Sequence, residues 1–227
     1  MRTVLFAIAV VVATGLVACG GNEKAKPLTL EQRLIRESDA PGSREDPVEV
    51  RLTAGNLDEF IAWQNLGNVL AAEIDPSKLK KAGFVAAVHE TRFFPKTPGG
   101  PHTRDARHVR SLVIQFRSKE GAATGADLVY TNSLKPCPGE CAFQIEEFEP
   151  SGVPDARGAR RYITGKRAQE TGSGETPSDG YTITFADGPF VYEVEGFGPL
   201  GKISKKQIEG IAEKVYDRVK GAPPPGT

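Results

Sequence analysis

The sequence predicts an α+β fold: an antiparallel sheet with helices packed on it, α/β/α sandwich-like, in a single domain. Three observations predict it. Four strand candidates stand in a row with turn residues between them, "AFQIEEFE", "ARRYITG", "DGYTITFA" and "PFVYEVEGF". Three more strand patterns precede that run, and helical patterns lie before and after it. Strands grouped together and flanked by helices read as α+β rather than as alternating βαβ units.

Each element follows from local chemistry. Residues 20–27, "GGNEKAKP", read as a linker. Thr29 can cap a short helix through "LEQRLIRES", with Leu30, Leu34 and Ile35 on one face. "DAPGSREDP" breaks it, and "VEVRLT" from Val48 alternates as a strand does. Asn56 and Glu59 resemble a capping box opening a helix that carries Leu57, Phe60, Ile61 and Trp63. That helix pauses at Gly67 and resumes over "NVLAAEI". Asp75, Pro76 and Gly83 mark the cap, first position and end of a further short helix. "FVAAVHETRFF", 84–94, is a strand, "PKTPGGPHTRDARH" a polar loop, and "VRSLVIQFRS" the clearest central strand. "KEGAATGADLVYTNSL" is helical, with Leu128, Val129 and Leu134 packed. After the four-strand run, Ser204 caps a last helix that buries Ile208, Ile211, Val215 and Val219. The tail "APPPGT" is expected to be disordered.

The first residues carry a targeting pattern. Met1-Arg2-Thr3 precede "VLFAIAVVVATGLVA", and Cys19 closes the run. A short basic start, an apolar stretch and small residues before a break form a secretory signal. The stretch falls short of the roughly 20 apolar residues of a spanning helix. "LVAC" (Leu16, Val17, Ala18, Cys19) resembles the bacterial lipobox. The resemblance implies cleavage before Cys19 and a diacylglyceryl group on its sulfur, the membrane anchor of a lipoprotein. A thiolate is the available nucleophile, and two acyl chains hold where one is marginal. The expected organisation is 1–18 lipoprotein signal peptide, 19–44 lipidated Cys, linker and short helix, 45–220 globular domain, and 221–227 tail. The expected location is the extracytoplasmic face of the cell membrane.

Charge and cysteine content narrow the classes. The chain has 29 basic and 29 acidic residues, a balance that argues against a nucleic-acid binder. Cys137 and Cys141, in "KPCPGECAF", read as a disulfide in an exported protein, closing a very short loop. Free thiols remain an alternative, and one CxxxC pair is a weak metal motif because zinc takes four ligands.

The remaining motifs point to no chemistry. "GFGPLG", Gly196–Gly201, matches GxGxxG, but no βαβ unit follows, so no cofactor is expected. His102, Asp105 and His108 lie close together among Arg104, Arg107 and Arg110, which repel a cation, and no metal is expected. His89 and Glu90 alternate across a strand and cannot form a dyad. Two basic clusters, Arg104/Arg107/Arg110 and Arg157/Arg160/Arg161/Lys166/Arg167, can face anions or simply be solvated beside Glu146, Glu147 and Glu149. Nucleophile motifs such as GxSxG and HExxH, and a P-loop, are absent from the sequence.

"FRSKEGA", 116–122, and "FEPSGVPDARGARRY", 148–162, make the mature part similar to uncharacterised secreted domains and lipoproteins of high-GC actinobacteria. Some of these resemble the PsbP-like α/β/α sandwich. The resemblance implies structural roles: Gly152-Val153-Pro154 sets a turn, and Ala122 packs a helix closely. The expected function is non-enzymatic: an anchored module binding a small apolar ligand or lipid in a concave apolar surface. A module docking on another cell-envelope protein is the alternative, and an enzyme using His89 or His108 is a third reading.

Overall fold

The helix caps written in the sequence are present in the computed structural model, which describes residues 25–45, 51–65, 74–95, 107–135, 143–165 and 177–225. Among the described residues four α-helices are formed: α1 (Leu57–Asn65), α2 (Pro76–Ala82), α3 (Lys119–Ser133) and α4 (Lys205–Val219). Asn56 Oδ1 accepts from the Glu59 amide at 3.0 Å, and Asp75 Oδ1 from the Ser77 amide at 2.8 Å. Ser118 and Ser204 Oγ accept from the Gly121 and Gln207 amides at 3.1 and 3.2 Å. Gly83 closes α2 at φ +83°, a left-handed conformation that costs glycine little.

The strands are β1 (Arg44–Glu45), β2 (Leu52–Ala54), β3 (Phe84–Phe93), β4 (His108–Phe116), β5 (Gln144–Phe148), β6 (Arg157–Ile163), β7 (Ser178–Asp187) and β8 (Phe190–Pro199). They form one open antiparallel sheet in the order β1-β3-β4-β8-β7-β6-β5, with β2 also pairing β3. This is the expected α+β class. The last strand, β8, inserts between β4 and β7, so the sheet centre is built by residues far apart in the chain.

Side chains alternate across each strand, so the sheet has two chemically different faces. One face packs α4 and the N-terminal segment through Val109, Val113, Ile183, Phe185, Tyr192 and Val194 against Ile208, Ile211, Val215 and Val219. Fully burying each such aliphatic side chain stabilises by about 1.5–3 kcal/mol. The opposite face packs α1, α2 and α3 through Ala87, Leu112, Ile114, Phe116 and Val191. Gly125 permits the close approach of α3, since a Cβ there would stand 2.2 Å from Phe116 Cζ.

Several expectations need correction. The helix expected after Thr29 is a single 3-10 turn, Glu31–Arg33. Its residues are held by tertiary contacts, chiefly those of Arg33, rather than by helical repetition. Residues expected to precede the domain are part of its core, with Leu34, Ile35 and Ala40 buried against α4's side of the sheet. The tail, expected to be disordered from residue 221, is docked through Ala222 and Pro223: Ala222 is buried, and the Leu28 amide donates to the Pro223 carbonyl at 3.2 Å. The strand expected from Val48 is described only as Leu52–Ala54. The resumed helix after Gly67 lies outside the described residues.

Candidate functional site

The face that carries α3 changes character along its strands. Cross-strand partners define successive rows, because paired residues share a face. The row under α3 is apolar, Ala87–Ile114–Val191–Ala186. The next row is His89–Leu112–Glu193–Thr184–Arg157, and the one after it is Thr91–Arg110–Glu195–Thr182–Ala159. A third row holds Phe93, His108, Phe197, Gly180 and Arg161. Two adjacent rows thus place two carboxylates, two guanidinium groups, an imidazole and three threonines on the sheet floor.

The carboxylates and threonines are buried rather than solvated: Glu193 is 3% exposed, Glu195 6%, and Thr184 and Thr91 1% each. Glu193 Oε1, Thr91 Oγ1 and Thr184 Oγ1 have no hydrogen-bond partner among the described residues. Arg110 Nη1 lies 3.8 Å from Glu195 Oε2. Burial away from water pushes the Glu193 carboxyl up to about 8, and the neighbouring Glu195 charge adds to this against Arg161 and Arg110. At neutral pH the Glu193 carboxyl is therefore predominantly protonated and can donate as well as accept. An unpaired buried polar group costs about 1–3 kcal/mol, so three together on one floor are a reservoir that a polar ligand can relieve.

A groove of about 400 Å³ runs beside this floor, lined by Ala126, Asp127, Asp155, Arg157 and Thr184 among others. Arg157 spans it, donating to Asp127 Oδ1 at 2.6 Å with its guanidinium 4.5 Å from the Tyr130 ring. Tyr130 in turn donates to Glu147 Oε2 at 2.6 Å, and burial with this bond raises the phenol to about 12.

The residues singled out from sequence fall in different places. Leu16, Val17, Ala18, Cys19, Cys137, Cys141, His102 and Asp105 lie outside the described residues. Arg157, Arg160 and Arg161 do not form one anion patch. Alternation sends Arg160 to the α4 face, where it bonds Asp179 Oδ1 at 2.8 Å, which raises its pKa, and lies 3.4 Å from Glu146. Arg157 and Arg161 lie on the α3 face. His89 and Glu90 do point to opposite faces, and Glu90 is held by Arg51 and Arg92. Among the described residues no three His, Cys, Asp or Glu side chains gather to hold a metal ion. No helix among them is long and apolar enough to cross a membrane.

The glycines of "GFGPLG" serve packing: a Cβ on Gly196 would stand 2.1 Å from Ile208 Cδ1. "GVP" makes the expected turn, with Gly152 at φ +81° and Val153 buried. The carboxylates of "VYEVEGF" belong to no motif, and apolar/acidic alternation by itself reads as a strand with one solvated face. The available signal was position: a strand inside a helix-covered sheet has no solvated face.

No protein-family model matches this chain, and no curated protein matches it. Among solved structures it is similar to the extracellular domain of PknH from Mycobacterium tuberculosis, with a TM-score of 0.52 and 11% identity. The match covers 86% of this chain and 97% of that one. At this identity the likeness is one of fold. The neighbour is an extracellular domain from a mycobacterium, in line with the resemblance to actinobacterial secreted domains.

Proposed function

We propose that this chain is an extracytoplasmic lipoprotein, anchored through Cys19, whose domain binds a small polar molecule without transforming it. The observation that carries the binding reading is Glu193, a buried carboxyl with no hydrogen-bond partner among the described residues, beside Glu195 and two unpaired threonine hydroxyls. Such a floor matches a ligand rich in hydroxyl or ammonium donors. It differs from the apolar surface expected from sequence, because the apolar rows under α1–α3 are filled by core side chains. The extracytoplasmic placement is supported by the lipobox pattern and by the fold shared with an extracellular domain.

Mass spectrometry of protein extracted gently from its own membranes tests both parts. A denatured mass carrying diacylglycerol on Cys19, and a native mass carrying a small molecule that Glu193→Gln loses, is the expected result. A Cys19 without lipid removes the anchor. A bare native protein that no polyol or amine stabilises removes the ligand.

The second reading is a module docking on another envelope protein. It is favoured by Phe197 and Leu200, large apolar side chains 37% and 38% exposed at the end of β8.

A further inference from the structure

On the opposite side of the molecule, two adjoining grooves of about 420 and 230 Å³ share Pro41, Phe94 and Gln207. Their floor is apolar, with Phe94, Ala40 and Ile211 buried. Their rim is basic: Arg44 and Arg107 on one groove, Lys206 and Lys214 on the other. Two carboxylates also line them. That of Asp39 is already bound, accepting from Arg218 Nη2 at 2.7 Å and from the Arg36 amide at 2.8 Å. Glu37 is exposed. Arg44, Arg107 and Lys206 have no carboxylate partner among the described residues, and Arg107 rests 4.9 Å from the Phe94 ring. Four cations therefore face one uncommitted carboxylate above an apolar floor.

We infer that this groove receives the phosphate headgroup of an anionic phospholipid in the membrane that holds the protein, so that α4 lies toward the bilayer. Charge complementarity is the first argument: a phosphate diester offers the negative charge this rim lacks, and the acyl chains the apolar contact the floor can use. The tether is the second, and here the inference rests on the reading of Cys19. Leu28 is fixed to the carbonyl of Pro223, just past the C-terminal end of α4. Nine residues separate Cys19 from Leu28, so the anchor stands within about 30 Å of that point at full extension. The 15-residue α4 is about 22 Å long at helical rise, so the tether and the groove reach the same surface.

The test uses the mature chain from Cys19 onward with Cys19→Ser, so that no lipid is attached and the groove is measured apart from the anchor. Flotation with phosphatidylglycerol vesicles is compared with phosphatidylcholine vesicles at low and high salt. The expected result is binding to phosphatidylglycerol only, weakened by salt. Arg107→Gln/Lys206→Gln is expected to lower it at least tenfold, whereas Lys220→Gln, outside the groove, leaves it unchanged. Lys206→Gln/Lys214→Gln, both on exposed positions, repeats the measurement should the Arg107 variant fold poorly. Equal binding to both vesicle types, or full binding by both groove variants, overturns the inference. Soluble glycerol 3-phosphate binding as tightly as the vesicles also overturns it, in favour of a free phosphate compound. An unacylated Cys19 in the native membrane would refute the anchor while leaving the vesicle result standing.

Discussion

Arg33 and Glu193 are both buried ionisable side chains, and their surroundings are opposites. Arg33 is 0% exposed, and all three of its side-chain nitrogens are hydrogen-bonded. Its guanidinium donates to Tyr192 Oη at 2.7 Å, to the Ala222 carbonyl at 2.6 Å and to the Leu28 and Pro223 carbonyls at 3.2 and 2.9 Å, and it lies 3.7 Å from the Phe190 ring. It joins the N-terminal segment, the C-terminal segment and the sheet. Glu193 is as deeply placed but has no hydrogen-bond partner among the described residues. A buried charge with each of its three nitrogens engaged is explained by folding. A buried carboxyl without a partner is not, and it is the observation behind the proposed ligand.

The comparison can be broken at either end. The largest effect is expected at the Arg33 staple. Arg33→Met leaves the Leu28 and Ala222 carbonyls and the Tyr192 hydroxyl without this donor, and should cost about 3–5 kcal/mol in denaturant unfolding, since each buried polar group left unmatched costs about 1–3 kcal/mol. A loss under 1 kcal/mol would mean that the two chain ends are not held through this residue.

Glu193 should show the next largest effect, and through pH. Its folded pKa is raised from 4.5 to about 8, so between these values the native state holds a proton that the unfolded chain releases. Stability is therefore full below pH 4.5 and falls as pH rises toward 8. Glu193→Gln removes the ionisable group and should remove this slope, raising stability at pH 8 by an amount on the order of 3 kcal/mol. An unchanged slope in urea unfolding at pH 5, 6.5 and 8 would move the carboxyl out of its buried setting.

A smaller loss, about 1–3 kcal/mol from overpacking, is expected for Gly196→Ala. The new Cβ would meet Ile208 Cδ1, so Gly196→Ala/Ile208→Val should recover much of it. Failure of that rescue in a double-mutant cycle would deny the packing role given to "GFGPLG". The smallest change belongs to the rim of the α3-side groove. The Arg157–Asp127 pair has side chains 40% and 68% exposed, so Asp127→Asn should alter thermal stability by less than about 1 kcal/mol. A large loss would show Arg157 to be a structural staple like Arg33 rather than a groove residue.

Much of the fold was legible because it rests on local rules. The caps at Asn56, Asp75, Ser118 and Ser204 and the alternation of β4 each carry their own signal over a few residues. The misread elements were those held by distant contacts. Residues 29–38 look helical in isolation, yet Arg33 is drawn to Tyr192 and Ala222. The proline-rich end looked unstructured because its hydrogen bonds are made to Leu28 and Arg33 rather than to neighbours. The candidate site was the least legible part, since Glu193, Thr184, Thr91 and His89 come from three strands whose adjacency no local pattern states.

By itself the sequence determined the α+β class, most helix starts and strands, and the lipobox pattern at Cys19, because these depend on composition, period and residues within a turn of one another. Only the tertiary structure decided that β8 lies between β4 and β7, that the acidic residues of "VYEVEGF" are buried, and that Arg157 and Arg160 part to opposite faces. The physical reason is that burial is a property of what covers a strand. Alternation specifies two faces, but the helices packed against the sheet decide whether either face meets water.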